Sequence, residues 1–263
     1  MTSQDSRSIA EALVAARRGA TGLADFPGEI PPDLETAYAI QDEAIAMWRR
    51  PVIGWKIGRV MPPLSERFGT LRLAGPIFAA SDAADPEMPV FAEGSAAAET
   101  EFLLRIGARP PAGQARFTLF EAAALIDAVH VGIEIASSPV KSLNALGPTA
   151  VVADFGNNNG LVIGPELTDW RSLPFESWPV TTAIDGAEVG SGVSSSLPGG
   201  VFEAARFLFE LMAARGIGLE PGQWISSGAI TGVHPVEPSQ RVDARFAPGL
   251  SAGCRISSAK SDR

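Results

Sequence analysis

The chain has 263 residues, 46% of them hydrophobic and 19% charged, and a formal net charge of −9. This is the composition of a globular protein with a sizeable core. The acidic balance, with no Lys/Arg runs, excludes a general nucleic-acid or anionic-membrane binder. The lone cysteine, Cys254, rules out an internal disulfide framework and reads as packing in a reducing compartment. The polar opening Thr2-Ser3-Gln4-Asp5-Ser6-Arg7-Ser8 lacks a signal-peptide core, and no apolar stretch is long enough to span a membrane. A cytoplasmic protein is expected.

Ser8 and Glu11 stand at capping-box spacing ahead of Leu13 and Val14, which predicts a first helix ending at Gly19. A second is predicted from Asp33 to Arg49, with Leu34, Tyr38, Gln41, Ile45 and Trp48 on one stripe before Pro51. Val52-Ile53-Gly54-Trp55-Lys56-Ile57-Gly58 is short, β-branched and bounded by glycine, and reads as a strand. From about Pro76 onward short strands dominate: Glu99–Ile106, Val131–Ala136, Val151–Ala153, Leu161–Ile163, Val180–Ile184, Trp224–Ser226 and Arg241–Phe246. Two helices interrupt them, one from Thr118 (with Glu121 in capping register) to about Val129, the other from Pro198 to Gly216. The tail Ser257–Arg263 is polar and expected to fray. The pattern is α+β.

Three carboxylates stand in segments that otherwise read as buried strand: Glu99 and Glu101 in Ala96-Ala97-Ala98-Glu99-Thr100-Glu101-Phe102-Leu103-Leu104, and Glu134 in Val131-Gly132-Ile133-Glu134-Ile135-Ala136. An ionised carboxylate out of water must be neutralised. Residues i and i+2 of a strand share a face, so Glu99 and Glu101 can reach one ion, with Glu134 closing the site from a second strand. All-oxygen ligation suits Mg²⁺ or Mn²⁺ rather than zinc. Glu99 and Glu101 also fit a wet edge strand; Glu134, with apolar neighbours on both sides, does not. Lys56 lies between Trp55 and Ile57 and reads either as a snorkelling lysine or as the ammonium such an acidic site needs when a substrate carboxylate and a developing enolate add negative charge. Other chemistries find little support. There is no nucleophile elbow and no phosphate loop, and His130 and His234 lack metal-ligand spacing.

Ala37-Tyr38-Ala39-Ile40-Gln41, Gly54-Trp55-Lys56-Ile57-Gly58, Glu99-Thr100-Glu101, Gly132-Ile133-Glu134-Ile135, Val151-Val152-Ala153-Asp154 with Gly160-Leu161-Val162-Ile163-Gly164, and Ser227-Gly228-Ala229-Ile230-Thr231 follow in this order. Together they resemble the 2-keto-4-pentenoate hydratase family of the fumarylacetoacetate hydrolase superfamily, across residues 8–256. The resemblance implies a mixed β-roll body in residues 76–263, carrying the metal site and the catalysis, and a helical segment with the first strand in residues 1–75. It implies Glu99, Glu101 and Glu134 as metal ligands and Lys56 as the active-site lysine. Asp154 and Asn158 are candidates to line the substrate site, beside the alternative of a simple turn. The implied reaction is hydration of a 2-hydroxydienoate to a 4-hydroxy-2-oxo acid in ring-fission catabolism. Decarboxylation of a 2-oxo diacid, C–C cleavage, or a silent partner subunit are the alternatives. The expected partners are a small 2-oxo acid and further copies of the chain, or a complex with a homologous decarboxylase or hydratase. Ala79-Ala80 stand where hydratases often carry an acidic pair, Ser137 where they often have Asp, and Leu197-Pro198 where they commonly have His-Pro. These departures remove candidate proton carriers and leave the metal ligands in place.

Overall fold

The structure is a computed structural model describing residues 2–247 and 249–262. In chain order its elements are α1 (Ser3–Gly19), α2 (Leu34–Trp48), β1 (Gly54–Arg59), α3 (Leu64–Phe68), β2 (Arg72–Ile77), β3 (Ala80–Ser81), β4 (Glu87–Val90), β5 (Ser95–Ile106), α4 (Leu119–Ala124), β6 (Ile126–Ser138), α5 (Pro148–Ala153), β7 (Asn158–Glu166), β8 (Val180–Ile184), β9 (Ala187–Gly192), α6 (Val201–Arg215), β10 (Trp224–Ser226), β11 (His234–Pro235), β12 (Arg241–Phe246) and β13 (Leu250–Ser258). The expected α+β class is what forms. Among the described residues the strands make an eight-stranded sheet, ordered β2-β1-β10-β5-β6-β7-β3 with β11 paired to β5, and a five-stranded sheet ordered β4-β13-β12-β8-β9. No helix of the described residues is long and apolar enough to cross a membrane.

The long hairpin β5–β6 organises the body. Along β5, Ala98, Phe102 and Leu104 join the main core. Phe102 meets Phe246 of the second sheet at 5.1 Å between ring centroids, and the Thr100 and Thr182 hydroxyls hydrogen-bond across the same seam at 2.6 Å. The period of two then sends Glu99, Glu101 and Leu103 to the opposite face. On β6, Ile133 and Ile135 belong to the core face, and Glu134 is turned the other way.

The helices show where local signals sufficed. Asp33 caps α2 by accepting from the Thr36 amide at 2.8 Å, and Thr118 with Glu121 forms the expected capping box of α4. The first helix starts earlier than predicted, because Thr2 and Asp5 form its capping box, and Ser8 only donates back to the Gln4 carbonyl within it. Helix α4 ends at Ala124 rather than near Val129, since β6 takes the chain from Ile126 onward. Val151–Ala153 is helical, not a strand: α5 docks on α2, where Gln41 Nε2 donates to the Val152 carbonyl at 2.8 Å. The division at residue 75 falls inside β2, and β1 is an interior strand of the large sheet. Residues 1–75 therefore supply part of the body itself. The polar tail is docked as well, with Ser257 and Ser258 in β13 and Asp262 paired to Arg50 at 2.6 Å.

Candidate metal centre

Strand register assembles the carboxylates. Glu99 of β5 lies directly opposite Glu134 of β6, and Glu101 lies opposite Gly132. The three side chains offer carboxylate oxygens all within 4.8 Å of one another, and all three residues are buried. Lys56 enters from β1, which is joined through β10 to β5. Its Nζ lies 3.3 Å from Glu134 Oε1. Glu134 Oε1 also accepts from Asn158 Nδ2 at 3.0 Å. Glu101 Oε2 accepts from the Ser226 hydroxyl and, at 2.9 Å, from the Gly228 amide. One oxygen on each of these two glutamates, Glu101 Oε1 and Glu134 Oε2, is buried without a hydrogen-bond partner among the described residues.

The electrostatics follow from burial and crowding. Burial, then the neighbouring Glu134 and Glu99, push the Glu101 carboxyl well above its ordinary value. Burial also raises Glu134, with Lys56 opposing and Glu99 adding to the rise, and it settles at about 7. Burial alone would lower the Lys56 ammonium, but Glu134, Glu99 and Glu101 more than reverse this and hold it charged. When all three carboxylates are ionised, they and the one ammonium leave two uncompensated negative charges, which one divalent cation would neutralise. Together with the two orphaned oxygens, the donor set fits a hard, oxygen-loving ion.

The other predicted residues fall on either side of the site. Asn158 touches the centre through Glu134. Asp154 is not brought to the cavity: its Oδ1 accepts from Arg17 Nε at 2.6 Å, a buried ion pair behind the site wall. Arg17, which the sequence offered as one basic residue among many, also donates to the carbonyls of Ser137, Asp154 and Asn158. Local pattern could not single it out, because its acceptors lie 120 to 142 residues away. Ser137 is structural, donating to the Ser95 carbonyl at 2.8 Å and accepting from the Phe91 amide at 3.0 Å.

A cavity of about 430 Å³ opens over the centre, lined at its inner end by Lys56 and Glu99. Its wall carries Val60, Met61, Leu64, Leu73, Val151 and Val233, with Arg59, Asn144 and Asn157 as further polar residues. The backbone at Gly156 makes this closeness possible. Its φ of 65° is left-handed, and a Cβ there would meet Gly75 Cα at 2.8 Å and Lys56 Cδ at 3.1 Å. Asn157 was missed from the sequence, where it is one of three consecutive asparagines.

A buried triad of glutamates with one lysine thus lies beside a mostly apolar pocket between strands, and the fold is shared with a putative fumarylacetoacetate hydrolase family protein from Yersinia pestis CO92, at a TM-score of 0.56 and 14% identity over 79% of this chain and 94% of that one. No family model matches the chain. The chain is 32% identical over 92 residues to a 2-hydroxyhexa-2,4-dienoate hydratase of Comamonas testosteroni, and 26% identical over 107 residues to a 4-oxalocrotonate decarboxylase of a Pseudomonas strain. The matched stretches cover 35% and 41% of this chain and 35% and 40% of those two proteins, well under two thirds of their length. In three dimensions it matches the 4-oxalocrotonate decarboxylase of Pseudomonas putida G7, complexed with magnesium and adipate, at a TM-score of 0.82 and 19% identity over 97% of this chain and 98% of that one. The motif resemblance to the 2-keto-4-pentenoate hydratase family is upheld by both curated relatives.

Proposed function

We propose that the chain is a divalent-metal-dependent enzyme acting on a small 2-oxo acid, and that its reaction is hydration of a 2-hydroxydienoate to a 4-hydroxy-2-oxo acid. The observation that carries this reading is the charge-deficient triad Glu99, Glu101 and Glu134 with Lys56 at the base of an apolar pocket. The three glutamates would hold Mg²⁺ or Mn²⁺. When bound, the ion supplies Lewis-acid polarisation and a template for the carboxylate and 2-oxo group of the substrate. The sequence relative named as a hydratase supports the reaction class.

The chain's own residues do the rest. Lys56, kept charged by the glutamates, places an ammonium where negative charge develops on an enolate, the intermediate common to tautomerisation and water addition. Asn158 holds Glu134 in place through its amide. The apolar wall displaces water and strengthens each of these interactions. Among the described residues, the ionisable groups lining the cavity are Lys56, Glu99 and Arg59; with Glu99 in the ligand set, Lys56 is the inner group left to move a proton at the reacting carbons.

Decarboxylation of a 2-oxo diacid is the second reading, favoured by the full-length fold match to a decarboxylase. Purified protein with Mg²⁺, given 2-hydroxypenta-2,4-dienoate and, separately, a 2-oxo diacid, tests both. Loss of dienoate absorbance with a 4-hydroxy-2-oxo acid product supports hydration, and CO₂ release from the diacid supports the second reading. Neither product, with metal shown to be bound, would leave a silent partner subunit.

A further inference from the structure

Most of the cavity wall is apolar, and its charged groups sit at its two ends, Lys56 and Glu99 within and the exposed Arg59 at the mouth. The same cavity is lined by a pair of amides that make no hydrogen bond to the three glutamates. Asn157 Nδ2 donates to Asn144 Oδ1 at 3.3 Å, and both residues line the cavity. Asn157 is only 4% exposed, and its Oδ1 is buried with no hydrogen-bond partner among the described residues. A buried amide oxygen left without a donor costs free energy, so its persistence in a cavity wall needs an explanation. Asn157 follows Gly156, where the backbone passes against Lys56, which sets the amide next to the inner end of the cavity. Its own φ of 65° is a left-handed conformation that asparagine tolerates.

We propose that the Asn157–Asn144 pair is the subsite for a hydroxyl of the ligand: the 4-hydroxyl of a 4-hydroxy-2-oxo acid, and the water from which it comes. The assignment rests on the reading of the cavity as a 2-oxo acid site and decides between its two reactions. In hydration the 2-hydroxydienoate first loses its enol proton and gains one at C5, giving the 2-oxo-3-enoate; one O–H bond of water and the C3=C4 π bond then break, the water oxygen bonds to C4, and a proton arrives at C3. The remaining O–H on C4 is the donor that Asn157 Oδ1 lacks. A ligand whose chemistry ends in loss of CO₂ presents no such donor. A site built to hydrogen-bond a hydroxyl discriminates against the analogue that lacks it, because its own polar group is then left unpaired.

Calorimetric titration of the Mg²⁺-loaded full chain with 4-hydroxy-2-oxopentanoate and with 2-oxopentanoate, which keeps the carboxylate and 2-oxo group, tests the proposal. The wild type should bind the hydroxylated ligand about three- to tenfold more tightly, the worth of one neutral hydrogen bond. Asn157→Gly keeps the left-handed backbone and removes the amide. Asn144→Ala removes its partner at the exposed rim and guards against a folding failure in the first variant. Each should bring the two ligands to within about twofold of each other while 2-oxopentanoate and Mg²⁺ bind as in the wild type. Equal affinities in the wild type, or a preference that survives both substitutions, would overturn the subsite and leave the 2-oxo acid reading standing. If neither acid binds the loaded wild type, that reading fails and takes the subsite with it.

Discussion

Two buried clusters of charge lie close together in this molecule, and they are built on opposite rules. In the Arg17–Asp154 pair the charges balance, and all three guanidinium nitrogens of Arg17 have acceptors. In the Lys56–glutamate cluster the charges do not balance, and Glu101 and Glu134 each keep a buried oxygen unpaired. The first cluster ties α1 to the loop 154–159 and to the end of β6; Asp154 Oδ2 is also buried without a partner among the described residues, but the pair carries no net charge. The second is destabilised as it stands, because like charges are held together out of water. What separates the two is net charge: a neutral ion pair marks a structural joint, and a cluster rich in carboxylates marks a place suited to a cation.

The largest effect should come from breaking the balanced cluster. Arg17→Met leaves Asp154 buried and unpaired and should cost about 3–5 kcal/mol of stability, read from urea unfolding. Replacing both partners with apolar residues of similar volume should recover most of that loss. Recovery by the double variant would show the pair to be a joint; its absence would mean that Arg17 has a role beyond Asp154.

Lys56→Met should come next. The fold and the metal should be retained, and the barrier for turnover of a 2-oxo acid should rise by about 2.7–4 kcal/mol, the usual loss when a donor aimed at a developing oxyanion is removed. Unchanged turnover per folded molecule with a lowered melting temperature would place Lys56 among the structural charges instead. Exchange of the pyruvate methyl protons in D₂O, followed by NMR, reads the same step without a full reaction.

Glu101→Gln sharpens the contrast further. Mg²⁺ affinity should fall by more than the about 10–100-fold that loss of an outer hydrogen-bond partner costs, because a charged ligand itself is removed. Without metal the same variant should melt higher than the wild type, since one of the mutually repelling carboxylates is gone. Unaltered Mg²⁺ affinity would remove Glu101 from the centre.

The smallest effect is on pH. Glu134 is raised from its ordinary value of 4.5 to about 7 in the folded chain, so between those values the folded state binds more protons than the unfolded one. The stability of the metal-free protein that comes from this group is fully present at low pH and is lost as pH rises through about 7. Added Mg²⁺ should restore stability most above that pH, where the carboxylates are ionised and the cation binds the folded state. Melting curves from pH 5 to 8, with and without Mg²⁺, check the sign. A metal-free stability that rises with pH over this range would contradict the crowding of Glu134.

Local pattern carried much of the fold and the centre of the site. Glu99 and Glu101 are two residues apart on a strand and therefore share a face whatever the strand packs against. Lys56 and Glu134 were visible as charges inside apolar runs, since isolated buried charge is too costly to be incidental. Capping at Thr118 was legible for the same local reason: a side chain two or three residues from the amide it satisfies needs no tertiary help. The β-branched Val151-Val152 misled because α5 is held by its docking on α2, a contact 111 residues away in sequence at Gln41 and Val152.

The sequence by itself determined which charged residues stand inside apolar strands and which face of those strands they occupy. Tertiary structure alone decided their partners. Register set Glu134 opposite Glu99, the turn at Gly156 put Asn157 rather than Asp154 on the cavity wall, and the first helix delivered Arg17 to claim Asp154. The reason is physical. Alternation along a strand is a property of the covalent chain. Which groups then meet depends on pairing between segments from tens to well over a hundred residues apart, and on which buried charges find a counter-charge.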